Sequence, residues 1–433
     1  MREQITQAIA EAKTNRFHVL MMAMAMFVIL TEGYDLVIYG SIKSQLIAEW
    51  GMSQVTAGLI GSVALVGMMV GSFTLGLLAD ILGRKRVLIF CVALFSLSTG
   101  LAGFMHGPIS FSIFRFLAGL GIGGAMPNAI GLLSDYIPKH SKSTLIATAM
   151  AGIQVGGILA PLLCIATGDS GWRICLWVAF LPLLMIPVMV RWLPNSIDYA
   201  LAHQEYAMLQ KNVLKAAPLF KGEISAATCA ALPQAEEKSP VAELFVQGRA
   251  RNTVLCWLAF FMGLLMIYGL NTWLPELMQA AGYNLGSSLT FLLALNVAAL
   301  FGSFILGMVA DRTNIKRLLV ILYLVGVVSM MLLSIKSNIV VAYILISICG
   351  VCVNGPQNVG TSFVASNYPS HVRSTGLGVC NTVGRLGGIL GPTLGGFLMS
   401  AALPMFFNCL AFAIPGLIAA GAYGFCRQNK SKA

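Results

Sequence analysis

Twelve long apolar runs, almost free of charge, dominate this 433-residue sequence. A helix that crosses a membrane needs about 20 such residues in a row. Residues 57–79, 87–105, 143–168, 252–275, 285–310, 318–335, 338–365 and 404–425 carry no charge at all. Residues 174–190 form a shorter run bounded by Arg173 and Arg191. Residues 19–41 contain Glu32 and Asp35, residues 109–134 contain Arg115 before their end, and residues 374–399 contain Arg385. Only 10% of the chain is charged, against roughly 25% in a soluble domain. Water alone cannot solvate such a surface, so the expected fold is an all-α integral membrane protein with twelve transmembrane helices. The first run is long, holds two acids and lacks a small-residue cleavage site. It reads as a span and not as a removable signal peptide.

Twelve crossings place both termini on one side. Of the 27 basic residues, 22 then fall in loops and tails on that side. Lys43, Arg173 and Lys336 fall on the other side, while Arg115 and Arg385 lie within spans. The positive-inside rule puts both termini in the cytoplasm, in a membrane of the bacterial inner-membrane type. It also accounts for the net charge of +11 without a nucleic-acid partner. The ten cysteines show no CxxC and no regular spacing, and most sit in apolar runs, as small buried hydrophobes do.

The chain also repeats itself at an offset of 231 residues. Gly76, Ala79, Asp80, Lys85 and Arg86 recur as Gly307, Ala310, Asp311, Lys316 and Arg317. Gly156, Gly157 and Pro161 recur as Gly387, Gly388 and Pro392, and Gly51 recurs as Gly282. One constant offset implies two six-helix halves in the same orientation, residues 1–193 and 252–433, joined by a polar cytoplasmic linker, 194–251. Parallel repeats of this kind build secondary transporters, with the substrate site near the midplane.

Several motifs resemble those of a known family. The stretch from Gly76 through Asp80 and Gly83 to Arg84, Lys85 and Arg86 resembles the loop signature of the major facilitator superfamily. Arg115 with Gly119 and Gly121 resembles its fourth-helix arginine motif. Glu32, Gly33, Tyr34 and Asp35 resemble the first-helix motif of the aromatic acid:proton symporters, and Arg373 to Gly376 with Gly384 to Gly387 resembles their eleventh-helix segment. The resemblance implies a latch at the loop signature that holds the outward-open state. The second copy keeps Asp311, Lys316 and Arg317 but has Asn314 and Ile315 where Gly83 and Arg84 stand. It should be weaker or differently paired.

Ionisable residues inside spans are expensive and usually mark function. Glu32 and Asp35 are three residues apart and share a helix face. Counted along the helices, Glu32 lies ~20 Å and Asp35 ~24 Å into the first span, and Arg115 ~9 Å from the outer end of the fourth. Asp35 and Arg115 can therefore meet. Two nearby carboxyls in a low dielectric do not both ionise cheaply, so the pair is a candidate for proton coupling with Arg115 as partner. A static ion pair is the plainer reading. Arg385 falls ~17 Å into the eleventh span among Gly384, Gly387 and Gly388. It can grip a carboxylate with two parallel hydrogen bonds, and an interhelical ion pair is its alternative role. Tyr34, Tyr39, Gln154, Tyr268, Asn271, Trp273, Asn296, Asn354, Asn358 and Asn381 are candidates to line the substrate site or, individually, to tie helices together.

Gly119 to Gly124 fits GxGxxG but lies in a span with no preceding strand, so it reads as close helix packing. No histidine or cysteine spacing suggests a metal, and no cofactor is expected beyond the proton gradient. Gly387 to Gly396 looks like an antiporter signature, but that signature belongs on the fifth helix and this copy is on the eleventh. The expectation is a monomeric secondary transporter, not an enzyme, that imports a small aromatic carboxylate with protons. A drug exporter of the same fold is the alternative.

Overall fold

The computed structural model describes residues 2–168, 171–225, 241–246, 248–335, 337–368 and 370–427. Twelve helical segments follow one another: α1 (Arg16–Trp50), α2 (Gln54–Leu82), α3 (Arg84–Ala102), α4 (Pro108–Tyr136), α5 (Lys142–Met150 and Gly152–Thr167), α6 (Trp172–Trp177 and Ile186–Trp192), α7 (Ala250–Ala280), α8 (Leu285–Arg312), α9 (Ile315–Leu332), α10 (Ile339–Asn367), α11 (Ser370–Ser400) and α12 (Met405–Phe425). Eleven are long and apolar enough to cross a membrane. The other, α11, has 31 residues, but Arg373, Arg385 and a dense set of glycines make it less apolar. Three shorter helices, Arg2–Glu11, Ile197–Ala202 and Tyr206–Ala216, lie outside the spans.

Local chemistry explains the interruptions. The two parts of α6 are joined by the 3-10 stretch Val178–Met185, which contains Pro182, while Pro187 opens the second part. Proline lacks the N–H that a continuous α-helix needs. The repeat partners Gly51 and Gly282 end α1 and α7 with φ of 59° and 90°, the left-handed conformation that closes helices at little cost only with glycine. Gly83 also has positive φ, 88°. Its repeat partner Asn314 instead adopts φ −72° and caps α9 by accepting a hydrogen bond from the Arg317 N–H. The two copies of the loop signature therefore turn by different means.

The spans outrun the apolar runs. The first does not stop at Ser41 but continues to Trp50, and α7 passes Pro275 to reach Ala280. Lys43, placed by the charge count with the residues of the far side, is a fully buried residue inside α1. The nine described cysteines are buried and free, as their apolar surroundings imply.

The chain forms two compact units, Met1–Asp35 with Val66–Gly156 and Arg173–Glu236, and Leu36–Leu65 with Gly157–Trp172 and Glu237–Ala433. The boundary falls inside α1, α2 and α5 and so does not follow the repeat. The 231-residue offset nevertheless reappears as packing inside each unit. In the first, a Cβ on Gly156 would overlap the Leu30 carbonyl oxygen; in the second, a Cβ on Gly387 would overlap that of Phe261. Leu30 and Phe261 are themselves repeat partners. Small residues let helices approach this closely in a bilayer. Large apolar side chains such as Phe73, Ile109, Leu184 and Phe301 remain exposed, as a lipid solvent allows.

Candidate functional site

In the first unit, α1 carries Glu32, Gly33, Tyr34 and Asp35 on consecutive positions, all buried. Gly33 is required here because any Cβ would strike the Ile153 carbonyl of α5. That contact brings α1 against α5, while α3 and α4 flank the acidic face. Arg115 Nη1 donates to Asp35 Oδ1 at 2.8 Å, and Nη2 donates to the Asp35 carbonyl at 3.3 Å. The Thr99 hydroxyl donates to the same Oδ1 at 2.7 Å. Asp35 and Arg115 are each 2% exposed. Removing one partner of such a buried pair costs about 3–5 kcal/mol, because the other charge is left stranded. Asp35 and Arg115 meet as their depths along the helices allow, and Thr99 joins them. A threonine within an uncharged span carries no signal of its own.

Glu32 is 4% exposed and sits one turn before Asp35. The Tyr34 hydroxyl donates to the Cys175 carbonyl at the start of α6. Gln154 is half-buried on α5 and is the repeat counterpart of Arg385, so one half presents a cation where the other presents an amide.

In the second unit, Arg385 is half-buried on α11. Its glycine neighbours face α7: a Cβ on Gly384 would come within 2.8 Å of Leu264, and one on Gly388 within 2.5 Å of the Tyr268 ring. The glycines thus fix the α11–α7 contact beside Arg385. Asn271 Nδ2 donates to the Ile267 carbonyl at 2.9 Å, and Asn296 Nδ2 reaches Asn271 Oδ1 at 3.3 Å. Asn354 and Asn381 donate to carbonyls four residues earlier in their own helices, and Asn358 donates to the Ser303 hydroxyl at 3.2 Å. The Tyr39 hydroxyl donates to the Ala57 carbonyl, and the Trp273 indole donates to the Pro392 carbonyl at 2.7 Å. Trp273 is wholly buried.

The same unit holds an ion pair that the sequence reading passed over. Lys43 Nζ lies 3.0 Å from Glu276 Oε2, with side chains 0% and 9% exposed. It also donates to the Thr272 carbonyl at 2.7 Å and stands over the Trp273 ring, 3.0 Å from its centroid. The Ser44 hydroxyl donates to Glu276 Oε1 at 2.7 Å. Both charges sit just beyond the apolar runs, where a span ordinarily ends, and the charge count places Lys43 on the far side.

At the loop signature, Arg84 pairs with Asp135 of α4 at 3.4 Å. Lys85 Nζ donates to the Val190 carbonyl at 2.8 Å, and Arg86 donates to the Tyr199 hydroxyl at 2.9 Å. Nothing crowds Gly76 within 4 Å of a Cβ. In the second copy, Lys316 Nζ donates to the Cys426 carbonyl at 2.7 Å and Arg317 is exposed. Offset by 231, Arg84 and Asp135 correspond to Ile315 and Ser366, so both members of this pair are lost together. The side chains of Asp80 and Asp311 lie outside the described ones. Among the described residues, no group of His, Cys, Asp and Glu could hold a metal ion.

The sequence profile of the Major Facilitator Superfamily matches residues 21–392. The chain is 41% identical over 421 residues to the benzoate transport protein of Acinetobacter baylyi, covering 96% of this chain and 90% of that one. It is 33% identical to the gentisate transporter of Corynebacterium glutamicum, covering 91% and 84% of the two chains. Its fold is similar to that of the xylose transporter XylE from E. coli in an inward-open conformation, with TM-score 0.74 and 17% identity over 96% of this chain and 98% of that one.

Proposed function

The chain belongs to the Major Facilitator Superfamily, among its aromatic acid:proton symporters, and we propose that it imports a small aromatic carboxylate together with protons by alternating access. It is a membrane transporter and not an enzyme. The observation that carries the coupled reading is the buried Asp35–Arg115 pair, reinforced by the Thr99 hydroxyl. In the closed pair both the guanidinium and the Thr99 hydroxyl donate to one oxygen of the Asp35 carboxylate. Taking up a proton removes the charge that holds Arg115, so protonation and helix movement are tied to one contact. Glu32, one turn away, is a second proton carrier or a support for the first.

Arg385 grips the substrate carboxylate, since a guanidinium keeps its charge when partly buried and matches a carboxylate with two parallel donors. The packing of Gly388 on Tyr268 keeps an aromatic ring close to Arg385 in the chain fold, suited to a flat apolar substrate. The substrate class is supported by the relatives that move benzoate and gentisate. The drug-export alternative gains no support from them. The basic residues of the terminal side favour cytoplasmic termini in an inner membrane, and nothing in this scheme requires more than one chain.

The deciding experiment is uptake of labelled benzoate into proteoliposomes with an imposed pH gradient. Accumulation driven by acid on the outside supports the reading. Uptake that is indifferent to the gradient removes proton coupling, and no saturable uptake of any benzoate-like acid removes the substrate class.

A further inference from the structure

The proton and carboxylate scheme leaves the buried Lys43–Glu276 pair without a role. The pair joins the part of α1 beyond Leu36 to α7, inside the second unit. Both carboxylate oxygens of Glu276 are engaged by neighbouring residues of α1: Oε2 by Lys43 and Oε1 by the Ser44 hydroxyl. The backbones are in contact close by, since a Cβ on Gly40 would overlap the Asn271 carbonyl oxygen. The α2 segment closes on α11 in the same unit, where the Ser62 hydroxyl is 2.7 Å from that of Thr393 and Gly58 packs on the Pro392 carbonyl. These contacts lie toward the ends of α1 and α7 that are remote from the chain termini.

A buried ion pair is a poor fastener and a good latch. Desolvation of two charges offsets most of their attraction, so the paired, closed arrangement and an open arrangement with both groups in water are close in free energy. An apolar contact in the same place would favour closure at all times. A lone charge left in the closed arrangement has no such balance and drives the helices apart toward water.

We propose that Lys43 and Glu276 form a charge latch that shuts the transport pathway on the face remote from the termini, and that the pair must part each time substrate enters from that face. This rests on the alternating-access reading above. Neither residue touches substrate in this scheme; they position α1 against α7.

The test uses the full chain in sealed vesicles, labelled from the face remote from the termini, with Ser62→Cys as reporter, since Ser62 is 6% exposed in the α2–α11 contact. A membrane-impermeant maleimide reports opening. Lys43→Met and Glu276→Gln should each speed labelling about tenfold or more relative to the reporter alone, equivalent to ~1.4 kcal/mol. The swap Lys43→Glu with Glu276→Lys restores the pair and should return labelling toward the reporter's rate. Unchanged labelling in both neutral variants overturns the latch. If the neutral variants fail to fold, the swap decides: slow labelling supports the latch, and fast labelling in a folded swap overturns it. Benzoate exchange by the otherwise native chain is measured beside these. Loss of exchange there defeats the substrate reading and leaves the labelling result to stand by itself.

Discussion

Arg115 reaches Asp35 twice, through the carboxylate at 2.8 Å and through the backbone carbonyl at 3.3 Å. The second contact is to the backbone, so it does not depend on the charge of the side chain. Under the proposed coupling, protonating Asp35 should weaken the first contact and leave the second.

Asp35→Asn should abolish proton-driven accumulation, because an amide cannot carry the proton. Substrate exchange at equal pH on both sides should persist. The buried Arg115 loses its counter-charge, so thermal stability should fall by about 3–5 kcal/mol in the limit of no relaxation. Uphill uptake at the native rate in proteoliposomes would remove Asp35 from the coupling step.

Arg385→Lys should weaken binding of benzoate at least about tenfold, or ~1.4 kcal/mol. Lysine is a point donor and cannot make the planar two-bond grip. Calorimetric titration of purified protein measures it. A dissociation constant equal to that of the native chain would place the carboxylate elsewhere.

Gly387→Ala and Gly156→Ala should each destabilise the protein by about 1–3 kcal/mol, since the new methyl group overlaps a carbonyl oxygen of the facing helix. Gly76→Ala meets open space and should stay within ~0.5 kcal/mol of native. Thermal unfolding in detergent compares the three. Equal midpoints would mean that α1–α5 and α7–α11 are less tightly apposed than described.

Acidifying the outside of sealed vesicles should raise internal substrate. If one proton accompanies one monovalent anion, membrane potential, worth about 2.3 kcal/mol per charge per 100 mV, does no work. An accelerating effect of an inside-negative potential would indicate a second proton, and its loss in Glu32→Gln would make Glu32 the carrier. Substrate leaving an acid-outside vesicle against its own gradient would reverse the direction proposed here.

Much of the fold was legible because bilayer chemistry is blunt. A long run without charge reads as a helix in lipid, and the fixed 231-residue offset returns in the structure as the matching Gly156–Leu30 and Gly387–Phe261 contacts. Residue counting put Asp35 and Arg115 at depths from which they can meet, as helix rise and span ends set depth. The same bluntness misled at Lys43 and Glu276. A charge beside an apolar run ordinarily marks its end, and only the packing of α1 against α7 shows these two neutralising each other inside. Thr99, Asp135 and Ser44 were invisible for a related reason: each meets a charged partner that is remote in sequence.

The sequence by itself determined the solvent, the number of crossings, the repeat and which ionisable residues lie within the apolar runs. Those properties are sums over local composition, and composition is written in order along the chain. The tertiary structure alone decided which charge faces which. It pairs Asp35 with Arg115 and Thr99 in one unit and Lys43 with Glu276 and Ser44 in the other, and it lets Gly156 and Gly387 repeat one contact at Leu30 and Phe261. A pairing depends on the distance and orientation of two side chains, and these exist only once the helices have been packed.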